Sequence, residues 1–172
     1  MSRPTDHTRP DGRPHYRLLR RMYRGGHPGA LARAMNRLSA IQFAAGFLSP
    51  AAAVTLEVRG RRSGRAISFP LVIVEEHGER YLVSMLGQDA NWVSNVRADG
   101  GSAALLRRGH REAVHLLEIE PADRAPILRR YLALAPGGRP HIPVDRHAPL
   151  ADFDRIAADF PVFRVITDPA TG

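Results

Sequence analysis

Apolar residues recur at helical spacing in one early segment and at strand spacing through most of the chain beyond it. Between Gly29 and Ser49, Leu31, Ala34, Met35, Leu38, Ile41, Ala45 and Leu48 repeat every three to four positions, and Pro50 ends the run. The spacing predicts an amphipathic helix over 29–49, with Arg33 and Arg37 on its polar side. The arginines interrupt it too often for a bilayer crossing, which takes about 20 apolar residues. Such a helix packs on its own domain or docks on a membrane surface. After Pro50 the pattern shortens to strands divided by turns. Val54–Arg59, Ile67–Glu76, Arg80–Leu86, Ser102–Arg107, Glu112–Glu120 and Val162–Ile166 read as strands. Turns are expected at Gly60–Arg65, His77–Glu79 and Arg108–Arg111. Helices are expected at Asn91–Asp99, at Asp123–Ala135 between Pro121 and Pro136–Gly138, and at Leu150–Asp159. Short strands joined by tight turns, with helices inserted between them, predict an α+β fold on an antiparallel barrel with flanking helices. The expected organisation is a basic, poorly ordered arm over 1–28, the helix over 29–49, and a barrel domain over 50–172.

Charge changes the picture through its placement. The chain has 172 residues and a formal charge of +8, with 25 basic residues that are all arginine, and it has no cysteine. Disulfide scaffolds, thiolate metal sites and cysteine nucleophiles are thereby excluded. Arginine without lysine, beside many Ala, Gly and Pro, fits a GC-rich coding sequence and says little about function. Residues 1–37 hold nine arginines and two aspartates, a net of +7, whereas residues 38–172 are at +1. A nucleic-acid binder would carry its excess on the folded domain. No nucleic-acid partner is expected, and the arm and helix are left with peripheral membrane contact as their candidate role. The arm lacks the apolar stretch of a secretory leader, so a cytoplasmic protein is expected, with the inner face of the membrane as its second location.

The common catalytic signatures are missing: no nucleophile elbow, no phosphate-binding Walker loop, no dinucleotide glycine motif. His141 and His147 flank Asp145 in a proline-rich loop without metal-site spacing, and no metal is expected. One segment stands out. Arg59–Gly60–Arg61–Arg62–Ser63–Gly64–Arg65 sets four arginines, a serine and two glycines in a turn, and no acid occurs from Val58 to Val74. Charged donors beside glycine-freed backbone suit a phosphate or carboxylate, and a solvated basic hairpin is the plain alternative. Strand three then runs through Ser84, Met85 and Leu86 into Gly87, and Trp92, the only tryptophan, shares a helix face with Asn95. An anion site, an apolar wall with backbone amides and an aromatic ring together suit a flavin-like cofactor. A core role is the plain reading of Trp92.

In this order the segments resemble the deazaflavin-dependent nitroreductase and quinone reductase family of split β-barrel proteins. The likeness rests on Gly60–Arg61–Arg62–Ser63–Gly64, Pro70 in the next strand, Ser84 to Gly87, Trp92–Val93–Ser94–Asn95 and Arg97, and covers about residues 54–120. The resemblance implies a split barrel that binds coenzyme F420 and transfers a hydride to a quinone, a nitroaromatic compound or an activated enone. By that analogy Arg61, Arg62, Ser63 and Gly64 hold the phosphate and acidic tail, and Pro70 lines the groove. Backbone amides of Ser84, Met85, Leu86 and Gly87 meet the ring, and Trp92, Asn95 and Arg97 support the linker or tail. Ile67, Gln88 and Gly100 stand where the family more often has a basic residue, glycine and proline. Tyr131 is the only tyrosine of the C-terminal half, which points to an acceptor of its own. Tyr131, Arg139, His141 and His147 are the candidates for an acceptor pocket, and no catalytic residue is marked. The alternative is a non-catalytic holder of FMN, F420 or haem on the same barrel.

Overall fold

A computed structural model describes residues 52–167; the predicted arm over 1–28 and helix over 29–49 lie outside the described residues. Six strands are present among the described residues: β1 (Ala53–Arg59), β2 (Ala66–Glu76), β3 (Glu79–Val83), β4 (Ser102–Arg107), β5 (His110–Glu118) and β6 (Val162–Thr167). Helix α1 (Asn91–Ala98) follows β3, and α2 (Ala125–Leu134) and α3 (Leu150–Ile156) fall between β5 and β6. The strands close a barrel in the order β1-β2-β3-β6-β5-β4, with every neighbouring pair antiparallel. This is the α+β split barrel expected from the alternating pattern, and closure leaves no unpaired sheet edge among these strands.

Alternation assigns the faces. On β1, Val54, Leu56 and Val58 are buried in the barrel interior, where they meet Leu82, Leu105, Val114, Leu116, Phe163 and Val165. On β2 the run Val72–Ile73–Val74 is buried throughout: Ile73 joins the barrel core, while Val72 and Val74 lie under α2 and α3 in a second apolar cluster. A strand covered on both faces needs apolar residues in succession. Each fully buried aliphatic side chain contributes roughly 1.5–3 kcal/mol. Helix α2 supplies Leu128, Tyr131 and Leu132 to this second cluster at i, i+3 and i+4 spacing.

Several boundaries differ from the sequence reading. Strand β3 stops at Val83 rather than Leu86, because the Ser84 hydroxyl donates to the Gly87 carbonyl (2.7 Å) and Gly87 takes a φ of 78°, closing a turn. The β4–β5 turn is two residues, Arg108–Gly109, since Arg107 already pairs with His110. The helices expected at Asp123–Ala135 and Leu150–Asp159 are shorter, bordered by 3-10 turns at Pro121–Asp123, Pro136–Gly138 and Ala157–Asp159.

Candidate active site

Helix α1 plugs one end of the barrel. Trp92, Val93 and Val96 enter the interior cluster, and the Trp92 ring packs against Phe163 with centroids 5.3 Å apart and planes tilted by 58°. Trp92 is only 4% exposed. The ring that sequence offered as a cofactor contact is therefore a core residue that fixes the helix, and the polar positions of α1 act on its surroundings.

The β1–β2 turn meets the same helix. Gly60 N–H donates to the Arg65 carbonyl and Gly64 N–H to the Gly60 carbonyl, each at 2.8 Å. A Cβ on Gly60 would come within 2.6 Å of Ile67 Cδ1 and 2.8 Å of Ser63 Oγ, so any larger residue there would have to displace those side-chain ends. Arg61 latches the turn to α1: its backbone N–H and its Nη1 both donate to Asn95 Oδ1, at 3.3 and 2.8 Å, and Nη1 also reaches the Asn91 carbonyl. Asn95 is buried, so this pairing satisfies a polar group beside the core. Arg62 and Arg65 are exposed, and their guanidinium groups have no protein partner among the described residues. The backbone N–H groups of Arg62 and Ser63 are equally unengaged there. Gly64 is not a free donor, because its N–H closes the turn.

Of the second predicted segment, the structure keeps half the donors. Ser84 N–H is committed to the Pro161 carbonyl (2.9 Å) and Gly87 N–H to the Ser84 carbonyl (3.1 Å). Met85 and Leu86 are the residues whose amides remain available, and Leu86 is an exposed apolar side chain. Pro70 sits half-buried in the β2 wall opposite Thr55. Arg97 faces away from the basic turn. It makes a bidentate pair with Glu118 (2.8 and 2.7 Å), and its Nη2 also donates to Gln88 Oε1 (2.7 Å), while Gln88 Nε2 bonds the Ala158 carbonyl. Helix α1 thus ties both segments together, holding the basic turn through Asn95 and the loop after Gly87 through Arg97.

Behind Arg97 stands a residue that sequence reasoning missed. Arg124, 4% exposed, donates to the carbonyls of Ile119 (2.9 Å) and Ala157 (3.1 Å) and to Glu118 Oε1 (3.1 Å). Burial lowers its pKa, and hydrogen bonding from Arg97 holds the Glu118 carboxyl below the usual carboxylate range. Nothing in a lone arginine beside a helix start announces such burial. The expected acceptor pocket does not form around Tyr131, which is buried in the helical cluster with Gly138 against its ring; burial pushes its phenol pKa up. Arg139 is turned to the Leu132 carbonyl (3.1 Å). Among the described residues no cluster of His, Asp or Glu is placed to hold a metal, and no helix is long and apolar enough to cross a membrane.

The family model for F420H(2)-dependent quinone reductase matches residues 34–141, well over half of the chain. The protein belongs to this family. It is an oxidoreductase that uses reduced F420, and the family gives no support to FMN or to a non-catalytic holder. A solved F420H2-dependent reductase, FDR-A, is 25% identical over 66% of this chain and 93% of its own, with a TM-score of 0.42. A NimC/NimA family protein from Clostridium acetobutylicum is 14% identical over 76% of this chain and 81% of its own, at a TM-score of 0.45. No curated protein matches the chain.

Proposed function

We propose that this F420-dependent reductase passes a hydride to an electron-poor acceptor, a quinone first and a nitroaromatic compound or enone by the same chemistry, with the cofactor's anionic tail at the β1–β2 turn. The donor set of that turn fits such a tail. Two exposed guanidinium groups, two unengaged backbone N–H groups and the Ser63 hydroxyl share one turn, where Asp99 stands beside Arg59 (3.8 Å) and neither Arg62 nor Arg65 has a carboxylate partner among the described residues. The observation that carries the reading is the latch from Arg61 to Asn95, which fixes this donor set against a helix rooted in the barrel core.

Arg62, Ser63 and Arg65 bind the phosphate and acidic tail. Arg61, Asn95 and the turn glycines position them. The amides of Met85 and Leu86 would hold the ring system, with the exposed Leu86 side chain and Pro70 offering it apolar contact. Arg97 holds Gln88 and through it the loop that carries those amides. When bound, reduced deazaflavin would supply the hydride, and these residues would anchor and orient it.

Titration of the full chain with F420 and with FMN, read through Trp92 emission, tests the assignment. F420 is expected to bind at micromolar concentration or below and FMN at least tenfold more weakly, followed by F420H2 oxidation with a soluble menaquinone analogue. Tight FMN binding without response to F420 would overturn it.

A further inference from the structure

Among the described residues, the barrel end away from α1 is open. A cavity of about 810 Å³ enters it, within the usual size of small-molecule sites. Its floor is apolar, formed by Val54, Ile73 and Leu105 of the barrel core. Strand β1 runs from Val54 in this mouth to Arg59 at the basic turn, so the two sites lie about 17 Å apart at the rise of an extended chain.

The rim carries four guanidinium groups, Arg80, Arg107, Arg108 and Arg111, against one carboxylate, Glu112. Most of this charge is already answered. Arg80 grips Glu112 through two bonds (2.9 and 2.7 Å), and Thr167 bridges them, accepting from Arg80 and donating to Glu112 (2.7 and 2.8 Å). That triangle braces one wall. Arg111 is turned to Glu57 on β1 (2.8 Å). Arg108 has no partner among the described residues and stands exposed at the tip of the β4–β5 turn. Arg107 is engaged as well, which leaves one unanswered cation among the described residues above an apolar chamber, complementary to a single negative charge on an apolar body.

We propose that the open mouth is a second ligand site, for an amphiphilic monoanion whose head group pairs with Arg108 and whose hydrocarbon enters the barrel over Val54, Ile73 and Leu105. The site is independent of the cofactor reading, because it shares no residue with the basic turn or with α1.

Calorimetric titration of the full chain with laurate, dodecanol and acetate tests it. Laurate is expected to bind once per chain at micromolar concentration, dodecanol at least tenfold more weakly, and acetate without measurable heat. Arg108 and Gly109 occupy φ values of 49° and 81°, so Arg108→Gly removes the charge while suiting the backbone. This variant is expected to lose fivefold or more in laurate affinity, with dodecanol binding, thermal midpoint and F420 titration unchanged. Equal binding of laurate and dodecanol, indifference to Arg108→Gly, or displacement of laurate by F420 would each overturn the proposal. So would Arg108-dependent binding to phosphatidylglycerol vesicles without binding of monomeric laurate, which would make the mouth a surface contact and not an enclosed site.

Discussion

Both ends of the barrel are ringed with arginine, and the two rings differ in what answers the charge. At the end closed by α1, Arg61 is tied to Asn95, and Arg62 and Arg65 are left facing solvent beside unengaged backbone amides. At the open end, Arg80 and Arg111 are held by Glu112 and Glu57, and the carboxylates turn charged residues into wall. Neither net charge nor arginine content separates these uses. The pairing does, and pairing across strands is set by register: Arg80 reaches Glu112 because β6 brings β3 and β5 to its two sides.

The contrast can be broken most severely at the closed end. Trp92→Ala removes the largest side chain of the plug and its contact with Phe163, and is expected to lower stability by about 3–5 kcal/mol, measured by chemical denaturation. A loss under about 1 kcal/mol would mean that α1 does not seal the barrel. A smaller effect, and one on ligand rather than fold, is expected from Arg62→Ala with Arg65→Ala. Two charge-assisted contacts at about 1.5–3 kcal/mol each should weaken F420 binding by about a hundredfold or more and flatten its dependence on salt, with the thermal midpoint unchanged. An unaltered affinity would reduce the turn to a solvated hairpin. The smallest effect belongs to the open end. Folding lowers the Glu112 carboxyl from its ordinary 4.5 to about 2, chiefly through the Arg80 hydrogen bond. Its contribution is therefore complete above pH 4.5 and disappears as the pH falls toward 2. The pair is partly exposed, so no more than about 1 kcal/mol is at stake. Glu112→Gln should remove that part of the acid sensitivity and leave F420 binding intact.

How much of this is legible in the sequence depends on the range of each interaction. The six strands can be read because alternation and turn residues are local signals, and the basic turn can be read because its donors are consecutive. Met85 and Leu86 continue the apolar pattern of strand three past its true end; the hydrogen bond that ends it joins a side chain to a carbonyl three residues on. Arg97 reads as a cofactor contact for a different reason. Arg97 lies on helix α1 and its partner Glu118 21 positions away at the end of β5, and only the folded barrel brings the two together. The burial of Arg124 and the cavity at the mouth have the same origin, since both are made by elements that meet only when the sheet closes.

Strand β2 gives the basic turn a second duty. Over Val72, Ile73 and Val74 both faces are covered, so within these three positions a shift of alignment only exchanges one branched aliphatic for another. The middle of the strand is almost silent about its own alignment, and the ends must speak for it. At one end stands the His77–Gly78 turn; at the other, the Gly60–Arg65 turn with its two internal hydrogen bonds. The segment assigned to the cofactor's anion therefore also helps to set which residue of β2 faces which core, through the hydrogen bonds that Gly60 makes with Arg65 and Gly64.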